Sequence, residues 1–170
     1  MEPGKLYIFS GLPAAGKSTL AKNLCNKIQA TYLRIDTLEQ GLKDICNIKK
    51  NEGEGYRISY LLAKDNLILG NDVVADSVNP IELCRKEWDN VANSIGAQFV
   101  NIEVICSDKT EHKIRAETRD VGVKNLTPPT WDQIINREYH PWKVQVVQID
   151  TAGKSIDQCS AELIVKLDIR

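Results

Sequence analysis

Lys5-Leu-Tyr-Ile-Phe-Ser10 followed by Gly11-Leu-Pro-Ala-Ala-Gly16-Lys17-Ser18-Thr19 decides how this chain folds. The apolar run reads as a buried strand. The next stretch is a complete phosphate-binding loop: Gly, four residues, Gly-Lys-Ser. Its glycines let the backbone curl so that successive N–H groups point into one hollow, where phosphate oxygens can sit. Lys17 can reach the β- and γ-phosphates, and the Ser18 hydroxyl can ligate Mg²⁺. Leu20, Ala21, Leu24, Cys25 and Ile28 then mark one face of an amphipathic helix. Strand, loop and helix in that order form the context in which this motif binds an anion, assisted by the helix dipole. A chance match at ordinary residue frequencies occurs in roughly one chain of this length in two hundred, so a ligandless glycine turn is the weaker reading.

Working outward, apolar strands alternate with amphipathic helices along the whole chain. Thr31-Tyr-Leu-Arg-Ile35 reads as a second strand ending in Asp36, with a short helix from about Thr37. Asn47 to Gly55 is polar and reads as a mobile connection. A helix carries Ile58, Leu61, Leu62, Ile68 and Leu69, and Asp72-Val-Val-Ala-Asp76 is a third strand. Pro80 opens a helix with the stripe Ile81, Cys84, Trp88, Val91, Ala92 and Ile95. Phe99 to Cys106 is a fourth strand, and Asp108-Lys-Thr-Glu111 has the form of a capping box. After the irregular Leu126-Thr-Pro-Pro-Thr130 come a short helix at about 131–137, a fifth strand at 144–149 and a closing helix over 156–167. Such alternation predicts a single α/β domain spanning 1–170, with a parallel sheet covered on both faces. Ligands of such sheets bind beyond the carboxyl ends of the strands, here at Gly11, Asp36, Asp76, Cys106 and Asp150.

Bulk properties narrow the class. The 170 residues hold 22 basic and 23 acidic side chains, a net charge of −1, so nucleic acid is not the favoured partner. No apolar run is long enough to span a membrane, and no signal peptide precedes the first strand. The five cysteines are scattered without a Cys-x-x-Cys pair, which fits buried reduced thiols and a cytoplasmic protein. His112 and His140 are too few and too far apart to suggest a metal site.

Among proteins with this loop, GTPase switches are disfavoured. Asp150-Thr-Ala-Gly153 comes too late in the chain for a switch, and Asn26-Lys27-Ile28-Gln29 fails as a guanine signature. Motor ATPases need a strand ending in Asp-Glu, whereas Val73-Val-Ala-Asp76 is followed by Ser77. Transfer of a phosphoryl group explains more residues. It requires an acceptor-side carboxylate, a metal, and cations for the charge spreading over the transferred group. Asp36, at the end of the strand beside the phosphate loop, is a candidate base; the alternative is a helix N-cap. Arg115 and Arg119, four apart on one helix, share a face and can aim two guanidiniums at one place; the alternative is a solvated face paired with Glu111 or Glu117. Asp76 can hold Mg²⁺ through water or contact substrate, or serve with Asn79 as a structural cap around Pro80.

On Gly11 to Leu20, Ile35-Asp36, Val73 to Asn79, Arg115-x-x-x-Arg119, Thr130 to Trp142 and Ile149 to Ala152, the chain resembles small P-loop kinases of the nucleoside-monophosphate-kinase type. Within these it resembles a group of ATP-dependent kinases related to polynucleotide 5′-kinases, adenylylsulfate kinase, gluconate kinase and chloramphenicol phosphotransferase. The resemblance implies a three-layer P-loop NTPase fold, with a five-stranded parallel sheet and a small helical lid at about 109–140. It implies ATP and Mg²⁺ as cofactors, and a monomer or homodimer that phosphorylates a hydroxyl of a small molecule, with a nucleotide or polynucleotide end, or a merely regulatory ATP-binding module, as alternatives. Gly11, Pro13, Ala14, Ala15, Gly16, Lys17, Ser18 and Thr19 would hold the phosphates, and Thr151, Ala152 and Gly153 would wrap the adenine. Ser18 and Asp76 would serve the metal, and Lys17, Asp36, Arg115 and Arg119 the catalysis. Two residues depart from the pattern: Ala14 replaces a common glycine, and no arginine stands three residues after Asp36.

Overall fold

Leu6–Ser10 forms β1, and all five of its residues are buried. Its side chains alternate between two layers, as the period of two along a strand demands. Leu6 and Ile8 enter one apolar cluster, Tyr7 and Phe9 the other. A strand covered on both faces reads as a continuous apolar run for this reason. The computed structural model describes residues 2–46, 48 and 52–169. Of the connection expected at 47–55, residues 47 and 49–51 lie outside the described residues, and its last two, Glu54 and Gly55, already belong to a helix that begins at Glu54.

The other strands are β2 (Thr31–Arg34), β3 (Val73–Asp76), β4 (Phe99–Ile105) and β5 (Val147–Asp150). All pair in parallel, in the order β2-β3-β1-β4-β5. The helices are α1 (Lys17–Ile28), α2 (Ile35–Cys46), α3 (Glu54–Ile68), α4 (Glu82–Asn93), α5 (Lys109–Thr118), α6 (Trp131–Ile135) and α7 (Ile156–Lys166). On one face, Leu20 and Leu24 of α1 and Leu163 of α7 meet Tyr7, Phe9, Val104 and Ile149. On the other, Ala63 and Leu67 of α3 and Trp88 of α4 meet Leu6, Ile8, Val73 and Ala75. Each fully buried Leu, Ile or Phe contributes roughly 1.5 to 3 kcal/mol, so these two layers supply most of the drive to fold. The result is the three-layer α/β fold expected from the alternation.

Strand order places the site. The chain builds β2 and β3 on one side of β1, then crosses to β4 and β5 on the other. A cleft opens beyond the carboxyl ends of the strands at this reversal, where the phosphate loop leaves β1. Asn79, fully buried, with φ of 46°, pins the loop's entry. Its amide donates to the Phe9 carbonyl at 3.0 Å and to Ser10 Oγ at 3.2 Å, and accepts from Trp88 Nε1 at 3.1 Å.

Several local expectations need correction. The strand beside β1 is β3, ending in Asp76; β2 lies one place further out. Helix α2 starts directly at Ile35, so Asp36 sits inside its first turn, neither ending a strand nor capping a helix that begins at Thr37. Fifth-strand pairing begins at Val147 rather than Val144, whose side chain is exposed. Asp108 caps α5 by accepting from the N–H groups of Thr110 and Glu111. No reciprocal capping box forms, because the Glu111 carboxylate turns instead to Arg115 and to Gly153 N–H. Cys46 is exposed, while Cys25, Cys106 and Cys159 are buried thiols.

Candidate functional site

The phosphate loop takes the conformation its glycines anticipate. Gly11 has φ of 135° and Gly16 has φ of 100°, values that an L side chain rarely adopts. A Cβ at Gly11 would also run into the Val104 carbonyl. Ala14 adopts φ of 67° despite carrying a Cβ, a strain of roughly 1 kcal/mol or more. The missing glycine thus leaves the loop's shape intact at a cost in local energy.

Lys17 heads α1 and is buried, its ammonium donating to the Leu12 carbonyl at 2.9 Å. Burial holds its pKa down to about 8; Arg119 and Arg137 push the same way, while Asp76 and Asp36 oppose. A cation stored on its own loop carbonyl, out of water, is ready to exchange that partner for a phosphate oxygen. Asp76 is buried and accepts from Tyr32 Oη at 2.7 Å. Burial and the Asp76 charge push the Tyr32 phenol upward, with Ser18 beside it opposing. Ser18 and Asp76 therefore flank one tyrosine at the head of the loop. Among the described residues no cluster of three or more His, Cys, Asp or Glu forms a metal cage. The Ser18 hydroxyl and the Asp76 carboxylate are hard oxygen donors that suit Mg²⁺, which usually keeps several waters and binds through few protein ligands.

Two cavities meet at this loop. The first, about 400 Å³, is bordered by Gly16, Lys17, Ser18, Thr19, Lys22, Arg34, Arg115, Arg119, Thr151, Lys154 and Ile156. The second, about 540 Å³, is bordered by Pro13, Lys17, Ser18, Asp36, Glu39, Asp76, Ser77, Arg119, Leu126, Pro128, Pro129, Gln133 and Arg137. Lys17, Ser18 and Arg119 belong to both. Thr151 lines the first cavity; Ala152 and Gly153 are not among its lining residues, and Gly153 gives its N–H to Glu111 at 2.8 Å.

The two arginines expected to converge both border the first cavity, but their backbones and partners differ. Helix α5 ends at Thr118, and Arg119 leaves it with extended backbone, φ −68° and ψ 143°. Arg115 donates to Thr151 Oγ1 at 2.7 Å, to the Thr151 carbonyl at 3.1 Å and to Glu111. It braces the loop after β5 against α5. Arg119 lies at the junction of the cavities, where burial lowers its pKa and its Nε, also buried, has no hydrogen-bond partner among the described residues.

Three contributors escaped the sequence reading. Arg34, buried at the end of β2, donates to the Val121 carbonyl at 2.9 Å and lies 3.6 Å from Asp36. Arg137, just past α6, supplies the second cavity with a cation from another element than the one where an arginine was missing. His112 donates through Nε2 to the Pro13 carbonyl at 2.8 Å, with its ring edge against Trp131. Only tertiary folding brings these groups together; no motif spacing marks them.

The family model described as AAA domain matches residues 6–135. The chain therefore belongs to that family of P-loop proteins. No curated protein matches the sequence. Solved structures give the fold independently. The APS kinase of Mycobacterium tuberculosis, in complex with AMPPNP and APS, is 20% identical over 99% of both chains, with a TM-score of 0.68. Kti12 of Chaetomium thermophilum, in complex with ADP-AlF3, is 18% identical, covering 95% of this chain and 96% of that one, with a TM-score of 0.72. A gluconokinase from Sinorhizobium meliloti is 14% identical, covering 98% and 92%, with a TM-score of 0.67. Among the described residues no helix is long and apolar enough to cross a membrane.

Proposed function

We propose that this protein is an ATP-dependent phosphotransferase that moves the γ-phosphate of Mg-ATP to a hydroxyl of a small molecule. One observation carries the reading: two cavities, each large enough for a small ligand, share Lys17, Ser18 and Arg119. A hydrolase needs one ligand site and a water; a transferase needs two sites that touch where phosphorus changes partners. Thr151 on the adenine side and the loop N–H groups hold the nucleotide in the first cavity. The acceptor lies in the second, its hydroxyl toward Asp36. The hydroxyl oxygen bonds to the γ-phosphorus and gives its proton to the Asp36 carboxylate. The bond from phosphorus to the β–γ bridging oxygen breaks, and its electron pair leaves with ADP. Lys17 and Arg119 face the charge that spreads over the oxygens of the transferred group. Ser18 and Asp76 would hold Mg²⁺, which would further neutralise the phosphates. Arg115 acts on Thr151 rather than on phosphate, and so positions the nucleotide loop.

The fold is also compatible with an ATP-binding module that transfers little. The test is γ-phosphate transfer across sugars, nucleosides, aminoglycosides and oligonucleotides, with ATP loss measured in parallel. Stoichiometric labelling of an acceptor supports the transferase. ATP consumption without labelling of any acceptor leaves the regulatory module.

A further inference from the structure

We infer that Arg34 is a positioning residue for the transfer: it grips the Val121 carbonyl and faces the Asp36 carboxylate, and so fixes the base and the approach of Arg119 together. The inference rests on the transferase reading and adds a residue to its machinery. Arg34 ends β2 with only 8% of its side chain exposed, and it borders the first cavity. Its Nη2 donates to the Val121 carbonyl at 2.9 Å, across 87 residues of chain, and lies 3.6 Å from Asp36 Oδ2. Its Nε is also buried and has no hydrogen-bond partner among the described residues. Packing alone does not call for an arginine here. A buried guanidinium left partly unpaired lowers stability, and an apolar side chain of similar volume commonly serves as well or better. Its two contacts account for it instead.

Both contacts lead to the reaction centre. Val121 stands two residues after Arg119, in the segment that leaves α5 with extended backbone. Holding its carbonyl fixes where the chain crosses the cleft, and with it where Arg119 meets the junction of the two cavities. On the other side, 3.6 Å is longer than a hydrogen bond. Arg34 therefore orients the Asp36 carboxylate by charge while leaving its lone pairs open to the proton of an acceptor hydroxyl. Burial lowers the Arg119 pKa; Asp36 opposes this and Arg34 adds to it, so the three charges lie within one another's reach. The same strand serves a second carboxylate of the second cavity. Tyr32, two residues before Arg34 and so on the same face of β2, donates to Asp76 at 2.7 Å. Arg34 acts through Asp36 and Arg119 and touches no reacting atom.

The experiment compares the wild type with Arg34→Met and Arg34→Lys. Transfer from Mg-ATP is followed to glucose, adenosine, kanamycin and a 5′-hydroxyl oligonucleotide, with release of phosphate to water measured in the same reactions. Mg-AMPPNP binding is read by calorimetry, and hydrogen exchange of residues 119–125 on the ligand-free protein. Arg34→Met should lower kcat by roughly 10²-fold, the scale of a misplacement of about 1 Å. The KM for ATP and the affinity for Mg-AMPPNP should stay close to wild type, and the share of ATP lost to water should rise. Exchange at 119–125 should speed up while the melting temperature holds, a pairing that a residue merely filling space would not produce. Arg34→Lys keeps the charge and a donor and should recover part of kcat and of the protection. Wild-type kcat and exchange in Arg34→Met overturn the inference. So does a loss confined to Mg-AMPPNP affinity, which would make Arg34 a ligand of the nucleotide. Collapse of the Arg34→Met fold with Arg34→Lys fully active would make it a packing residue and overturn the inference too. If the wild type labels none of the four acceptors, the transferase reading falls by itself. Faster exchange at 119–125 in Arg34→Met then still upholds the anchor, and unchanged exchange refutes it.

Discussion

Asp36 and His112 show how little of a residue's role follows from its type. Half-exposed in the first turn of α2, Asp36 borders the second cavity, as Arg119 does, and lies 3.6 Å from Arg34. Asp36→Asn keeps the shape but cannot take the acceptor's proton. Transfer should fall by roughly 10² to 10⁴, while the affinity for Mg-AMPPNP holds; steady-state kinetics beside calorimetry decide it. Unchanged transfer would move the base to Asp76. His112 works differently. It is buried, and its pKa is lowered by burial and by Lys17, Arg115 and Arg119, with the Pro13 carbonyl opposing. The unfolded chain therefore binds this proton more tightly than the folded one. Its contribution to stability is complete above about pH 6.5, the free value, and is lost as pH falls from there toward the depressed folded value. His112→Gln keeps an N–H donor for Pro13 and does not titrate. Between pH 7.5 and 5.5 the wild type should lose more melting temperature than His112→Gln; equal losses would remove the histidine from the acid response.

At the scale of elements, the phosphate loop is braced from outside its own motif. Helix α5 holds it through His112 and holds the loop after β5 through Arg115 and Glu111. Residues 119–130 then run without a regular element, tied by Arg34 to the Val121 carbonyl and by Asn125 to Asp44 at 3.0 Å. Few backbone hydrogen bonds and high exposure mark a segment that opens at low free energy. Hydrogen exchange should show 119–130 less protected without nucleotide than with Mg-AMPPNP, while 109–118 changes little. Equal protection of 119–130 in both states would contradict closure over the phosphates. The sequence carried Lys17 and Ser18 plainly, since a loop motif is local and its neighbours confirm it. It carried the strands and helices as well, because a two-faced parallel sheet writes its burial into apolar runs. It did not carry Arg34, Arg137 or the extended backbone that takes Arg119 out of the helix of Arg115. Those depend on where α5 stops and on which loops meet across the cleft, and neither leaves a periodic trace.

For the whole molecule, ligand binding and folding are linked. At a hundredfold excess over the dissociation constant, nucleotide adds about 2.7 kcal/mol to stability, roughly 5 to 10 °C in melting temperature for a chain of this size. Mg-ATP should give that shift and GTP a smaller one; an equal shift with GTP would count against an adenine pocket beside Thr151.

The central claim is that the two cavities form one reaction centre, joined at Lys17, Ser18 and Arg119. Arg119→Ala tests it most directly, with the γ-phosphate followed to acceptor and to water in one reaction. Because Arg119 faces both ligands and helps exclude water, its loss should lower transfer by roughly 10³ and raise the share of ATP lost to hydrolysis. Binding of Mg-AMPPNP should weaken far less. Unchanged transfer, with the partition between acceptor and water also unchanged, would mean that the two cavities are neighbours and not one site.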